Sequence, residues 1–187
     1  MRRLNEELEK RGIVSVDALV NCAGVSMTDP VLDSPFERWR KPLDVMLDGA
    51  IRVTRAVAPR MREGGRIVHV TSIHARRAER GSSAYGIAKA AIEQFCRGLA
   101  LELADRGILA NSVAPGFVDT PMSSAAGSSE LETEWFRQNY VAGRHLPLRR
   151  AGKPEEIAGA IFFLCGPDAA YITGHTLTVD GGLTITF

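Results

Sequence analysis

Tyr85 and Lys89 stand four residues apart in a stretch, Ala84–Arg106, whose apolar residues Ile87, Ala91, Phe95 and Leu99 recur every four. That spacing puts the phenol and the ammonium on one face of a helix. An ammonium beside a phenol favours the phenolate and draws tyrosine's ordinary pKa of ~10 toward neutrality. A phenol tuned in this way can give or take a proton at a carbonyl or hydroxyl. Alone, the pair equally describes a surface lysine beside a half-buried tyrosine. Ser72 adds to it, because it ends the β-branched run Arg66–Thr71 thirteen residues before Tyr85. A hydroxyl there can hydrogen-bond the same substrate oxygen, or merely cap the strand.

The elements that must position these groups alternate. Residues 2–11 are polar and helix-prone, and Asp17–Val20 is a short strand that breaks at Asn21-Cys22-Ala23-Gly24. A helical pattern runs from Phe36 to Met61, divided at Pro42 and ended by Gly64-Gly65. Arg66–Thr71 is the second strand, Leu109–Val113 the third and Thr176–Val179 the fourth. Ser82 and Ser83 are N-cap candidates for the long helix. A Gly/Ser-rich loop (Ser123–Ser129), a short aromatic helix (Leu131–Tyr140) and a helix opening at Lys153-Pro154 fill the last connection. Strands alternating with helices of this length predict a single α/β domain over residues 1–187 with a parallel sheet. The carboxyl ends of parallel strands share one edge, where ligands bind. Asn21, Ser72, Pro115-Gly116 and Asp180-Gly181 all follow strands and meet there.

Composition narrows the partners. The 187 residues carry a net charge of +1, which argues against a dedicated nucleic-acid or anionic-membrane binder. No apolar run approaches the ~20 residues that span a bilayer. Three widely spaced cysteines, Cys22, Cys96 and Cys165, suit reduced core thiols in a cytoplasmic protein, and none has metal-ligand spacing.

The motifs resemble the short-chain dehydrogenase/reductase family. Asn21-Cys22-Ala23-Gly24 is similar to its NNAG turn, and Ser72 with Tyr85-Gly86-Ile87-Ala88-Lys89 to its serine and YxxxK signature. Asn111–Gly116 with Val118 and Thr120 resembles its PG motif, and residues 149–182 its C-terminal end. The resemblance implies a Rossmann-like doubly wound sheet and NAD- or NADP-dependent oxidoreduction of a small alcohol or ketone. In it Tyr85 exchanges the proton, Lys89 holds the nicotinamide ribose and lowers the tyrosine pKa, and Ser72 orients the substrate oxygen. Asn21, Ala23 and Gly24 would lie along the cofactor, while Pro115, Gly116, Val118 and Thr120 would border the nicotinamide. Family members pair helices across two-fold axes, so a homodimer or homotetramer is expected from the stretches Gly49–Met61 and Tyr85–Arg106.

Two departures accompany the matches. The family's opening strands and TGxxxGxG turn have no counterpart before Asn21, so the chain resembles the family's C-terminal three-quarters with the first three strands missing. On that reading the chain alone binds dinucleotide no better than millimolar and does not turn over, and the alternative function is a truncated, catalytically incompetent binding or structural module. Met46 stands where the family's VNLxG segment has an asparagine that holds a relay water. A thioether lacks that amide's donors and acceptors. His74 is expected in solvent or lining a substrate pocket. Trp135, Phe136 and Tyr140 are read as a lid or as body packing, and Phe36 and Trp39 as core or staple residues.

Overall fold

The computed structural model describes residues 2–124 and 129–186; positions 125–128 of the Gly/Ser-rich loop lie outside the described residues. Helix α1 (Arg2–Lys10) leads through Gly12, at φ 66°, into strand β1 (Val16–Asn21). With β2 (Met61–Val70), β3 (Leu109–Pro115) and β4 (Thr176–Val179) it forms one parallel sheet in the order β1-β2-β3-β4. Helices α2 (Phe36–Trp39) and α3 (Asp48–Val57) connect β1 to β2, and α4 (Ser83–Glu102) connects β2 to β3. The connection to β4 carries α5 (Glu134–Phe136) and α6 (Pro154–Cys165).

Both faces of the sheet are covered. On one, Val57 of α3 and Cys96 and Leu99 of α4 meet Ile67 and Ala110. On the other, Ile157 and Leu164 of α6 meet Val68 and Val113. Two-sided burial explains why adjacent residues of β2, Ile67 and Val68, are both apolar and fully buried, each in a different layer. Each buried Val, Leu or Ile among them contributes ~1.5–3 kcal/mol on burial. Three of the six residues of β1, the edge strand, are exposed.

Several boundaries differ from the sequence expectation, each for a local reason. The helical pattern stops at Val57, because a 3₁₀ turn through Pro59 follows it, and β2 begins at Met61. Gly64-Gly65 therefore lies inside a strand rather than ending a helix. Gly64 takes φ 73°, and the pairing register with β1 shifts between Val16 and Ala18. Pro42 does divide the helical pattern: α2 ends at Trp39, and Pro42 caps a π-turn, Leu43–Leu47, that runs straight into α3. Helix α4 ends at Glu102, and a 3₁₀ turn reaches Gly107 in the left-handed region. Neither serine caps α4 through its side chain. Ser82 donates to Glu79 Oε2 at 2.7 Å, and Ser83 Oγ accepts from Trp39 Nε1 at 3.1 Å. Phe36 is 62% exposed and stacks on Trp39, so it is no core residue.

Strand β4 is short and is held by a side chain. Asn111 of β3, fully buried, donates through Nδ2 to the Ile172 carbonyl at 2.7 Å. Its Oδ1 accepts from His175 N–H at 3.0 Å. At the far end of β3, Gly116 N–H donates to the Val179 carbonyl at 3.1 Å. A Cβ on Gly116 would stand 2.8 Å from Asp180 Cβ, so only glycine allows the two segments this approach.

Candidate active site

Parallel pairing brings the ends of β1, β2 and β3 to one edge. Thr71 anchors the end of β2 by donating twice to the Val113 carbonyl, from N–H at 2.7 Å and Oγ1 at 3.1 Å. Ser72 follows in extended backbone, and its Oγ accepts from His74 N–H at 3.2 Å, opening a 3₁₀ turn over Ile73–Ala75. The capping reading of the serine holds. It caps the strand end, and the same hydroxyl draws the Tyr85 phenol down in pKa.

Lys89 lies one turn beyond Tyr85, buried, with Nζ donating to the Val70 carbonyl at 2.9 Å. The ammonium stands 5.6 Å from the centroid of the Tyr85 ring, over its face. Burial pushes Lys89 down to about 8, opposed by Cys22 nearby. The Tyr85 phenol moves opposite to expectation. Burial raises its pKa, the Ser72 hydroxyl pulls the other way, and Glu79 raises it further. Lys89 acts on the ring face and on the main chain of β2, leaving desolvation to dominate the phenol.

The other candidates surround this trio. Gly24 touches it: a Cβ there would lie 3.6 Å from Met46 Sδ and 3.8 Å from Lys89 Nζ. Met46 is 1% exposed, in the π-turn, among Ala50, Ala88 and Ile92. Where the family pattern has an amide, this chain therefore presents apolar surface beside the lysine. Ala23 is exposed and Asn21 half-buried, its Nδ2 3.4 Å from His69 Nδ1. Pro115 ends β3, and Val118 bridges to Gly152, which orders the loop through half-buried Thr120.

His74 is not in open solvent. Its ring meets the Tyr85 ring edge-on at 5.9 Å, and Nε2 lies 3.7 Å from Glu79 Oε2. Phe136 is buried and packs with Tyr140 on Phe117, so these two belong to the body, while Trp135 is 55% exposed. Cys96 is a buried thiol, pushed up to about 11 by desolvation, but Cys22 is exposed, contrary to the core-thiol reading.

Two features were missed in the sequence. His69, fully buried on β2, leaves Nε2 without a hydrogen-bond partner among the described residues. Burial and then the Lys89 charge push it down to about 4. Strand propensity gives no hint of this, because the position is interior on both sides. The second is a cavity of about 310 Å³ walled by Ser72, Arg76, Arg77 and Thr184. A pair of loop arginines carries no periodic signal. Among the described residues no group of three His, Cys, Asp or Glu side chains gathers to hold a metal ion, and no helix is long and apolar enough to cross a membrane.

A family model described as enoyl-(acyl carrier protein) reductase matches residues 1–184. A 3-oxoacyl-[acyl-carrier-protein] reductase of Synechocystis is 39% identical over 173 residues, covering 91% of this chain and 66% of the relative. An acetoacetyl-CoA reductase of Allochromatium vinosum is 35% identical over 184 residues, covering 97% of this chain and 71% of the relative. The chain thus spans about two thirds of the length of the relatives it matches. Among solved structures, a gluconate 5-dehydrogenase of Burkholderia cenocepacia, in complex with NADP and tartrate, superposes with a TM-score of 0.86 at 29% identity. That match covers 100% of this chain and 71% of the other.

Proposed function

Because the chain belongs to the short-chain dehydrogenase/reductase family, which uses NAD or NADP, we propose that Ser72, Tyr85 and Lys89 carry hydride-transfer chemistry on a small alcohol or ketone. The observation that carries the reading is the trio itself: Lys89 over the Tyr85 ring, with Ser72 at the end of β2, at the carboxyl edge of the sheet. The relatives support the substrate class, since their names specify acetoacetyl and 3-oxoacyl thioesters and gluconate.

The residues present fit the nicotinamide half of the cofactor. Lys89 uses one N–H on the Val70 carbonyl and keeps donor capacity for ribose hydroxyls. Gly24 lacks a Cβ beside that ammonium, and Pro115, Gly116, Val118 and Thr120 form the facing loop. When bound, the nicotinamide supplies or accepts the hydride. Ser72 donates a hydrogen bond to the substrate oxygen and fixes its position. Tyr85, whose raised pKa keeps it protonated, gives its proton to that oxygen as it gains charge, which suits reduction of a ketone. Lys89 then steadies the phenolate that remains. Exposed Ile87 and Leu101 on α4 support a homodimer or homotetramer.

Met46 favours one second reading, a module that binds without turnover, because the apolar turn leaves Lys89 no amide neighbour from that side. Two measurements separate the readings. In the chain joined to the family's N-terminal dinucleotide-binding segment, ketone-dependent oxidation of NADH or NADPH is expected to fall by about 10²-fold or more in Tyr85→Phe. Titration with nicotinamide mononucleotide should move the amide NMR signals of Lys89, Val118 and Thr120. Turnover retained above about a tenth in Tyr85→Phe overturns the proton-transfer assignment.

A further inference from the structure

The cavity beside Ser72 has a charge that nothing in the trio requires. Arg76 and Arg77 both line it, yet their situations differ. Arg76 is neutralised, with Nε and Nη2 each 3.2 Å from an oxygen of buried Glu93. Arg77 has no carboxylate within ion-pair distance among the described residues; its guanidinium Nη2 donates to the neutral carbonyl of Thr184. Glu79, the other acid of this loop, is engaged with Ser82 and His74.

Arg77 is also held in place from both ends. Its N–H donates to the Ile73 carbonyl at 2.9 Å, and its own carbonyl lies 3.3 Å from His74 Nδ1. The carbonyl that receives its head group is fixed in turn by Asp180. That carboxylate accepts from Gly182 N–H at 2.9 Å and Thr184 N–H at 2.7 Å. A positioned guanidinium without a counter-charge, facing a cavity, is matched to a carboxylate by shape and charge.

We propose that this cavity is the carboxylate subsite of the reaction centre, in which Arg77 binds the acid group of a short hydroxy- or keto-acid whose reacting oxygen lies at Ser72. The inference rests on the oxidoreductase reading above and names its substrate class. Two further observations restrict the ligand. Ser72, the serine of the trio, bounds the cavity, so the acid group and the reacting carbon are separated by the span of one small cavity. Its volume of about 310 Å³ lies at the lower end of ligand pockets, ~300–1,000 Å³, which suits a ligand of a few carbons.

The test is binding, measured on the whole chain without cofactor by amide NMR, with 3-hydroxybutanoate and its uncharged methyl ester as probes. The acid is expected to bind at least about ten-fold tighter than the ester, the worth of one charged hydrogen bond. Signals of Ser72, Ile73 and Thr184 should move with it. Arg77→Gln should bring the two affinities within about two-fold, and Arg77→Lys, which keeps the charge, should retain part of the preference. Equal affinities in the wild type, an undiminished preference in Arg77→Gln, or binding of neither probe overturns the subsite. An acid preference in a chain whose Tyr85→Phe variant turns over as the wild type does keeps the subsite and removes the proton-transfer role of Tyr85. Tyr85-dependent turnover without an acid preference removes the subsite alone.

Discussion

His69 makes this protein sensitive to mild acid in a way that can be calculated. The imidazole is fully buried between β1 and β3, with one nitrogen near Asn21 and the other without a partner among the described residues. Burial and the Lys89 charge lower its pKa from 6.5 to about 4. Between those values the unfolded chain binds a proton that the native state refuses, so stability falls as pH drops through the window and is fully present above it. The whole shift corresponds to ~3 kcal/mol, of which ~2 kcal/mol is lost by about pH 5. The perturbation is His69→Leu, an apolar side chain that cannot titrate. Urea unfolding followed by the fluorescence of Trp39 and Trp135, at about pH 7.5 and about pH 5, gives the two free energies for each protein. Wild type should lose ~2 kcal/mol more than the variant over that interval, whatever their absolute stabilities. Parallel losses would refute the reasoning, because they would show that His69 carries its proton in the native state.

Further expectations rest on other contacts. Lys89 should lose its proton near pH 8, read from its side-chain NMR signals; a midpoint near the ordinary 10.5 would mean that the ammonium is solvated. Gly116→Ala should cost ~1–3 kcal/mol in chemical unfolding, since its Cβ would press on Asp180. Gly49→Ala, in α3 where an added Cβ would meet nothing within 4 Å, should instead stabilise by ~0.5–1 kcal/mol. Light scattering at micromolar concentration should give a dimer or tetramer, and a stable monomer would contradict the assembly.

The trio was legible in the sequence because each member obeys a short-range rule. Tyr85 and Lys89 need only helical spacing, and Ser72 needs only the end of a β-branched run. Parallel pairing then places them without further information. What escaped depends on contacts across the chain. Gly64-Gly65 reads as a helix stop, yet a strand neighbour holds it at a register shift in β2. The direction of the Tyr85 shift was missed because spacing puts Lys89 on the same face without saying that its ammonium sits over the ring. Arg77 acquires its meaning only when a tail 107 residues away brings up the Thr184 carbonyl.

The Asn111 clamp bears on the order in which the molecule closes. One buried amide joins β3 to Ile172 and His175, across 61 and 64 residues of chain. A contact of that span forms against a large loop-closure entropy, so β4 is expected to dock late, after the local pairing of α4 with β2 and β3. The Asp180 turn and Thr184 follow β4 directly, and with them the wall of the cavity that holds Arg77. The carboxyl edge therefore has two kinetic halves. Ser72, Tyr85 and Lys89 are complete once the first three strands are in register, whereas the opposite wall exists only while a four-residue strand stays shut. Hydrogen exchange at Thr176–Val179 thus reports on the lifetime of the binding wall, and Asn111 is the residue that sets it.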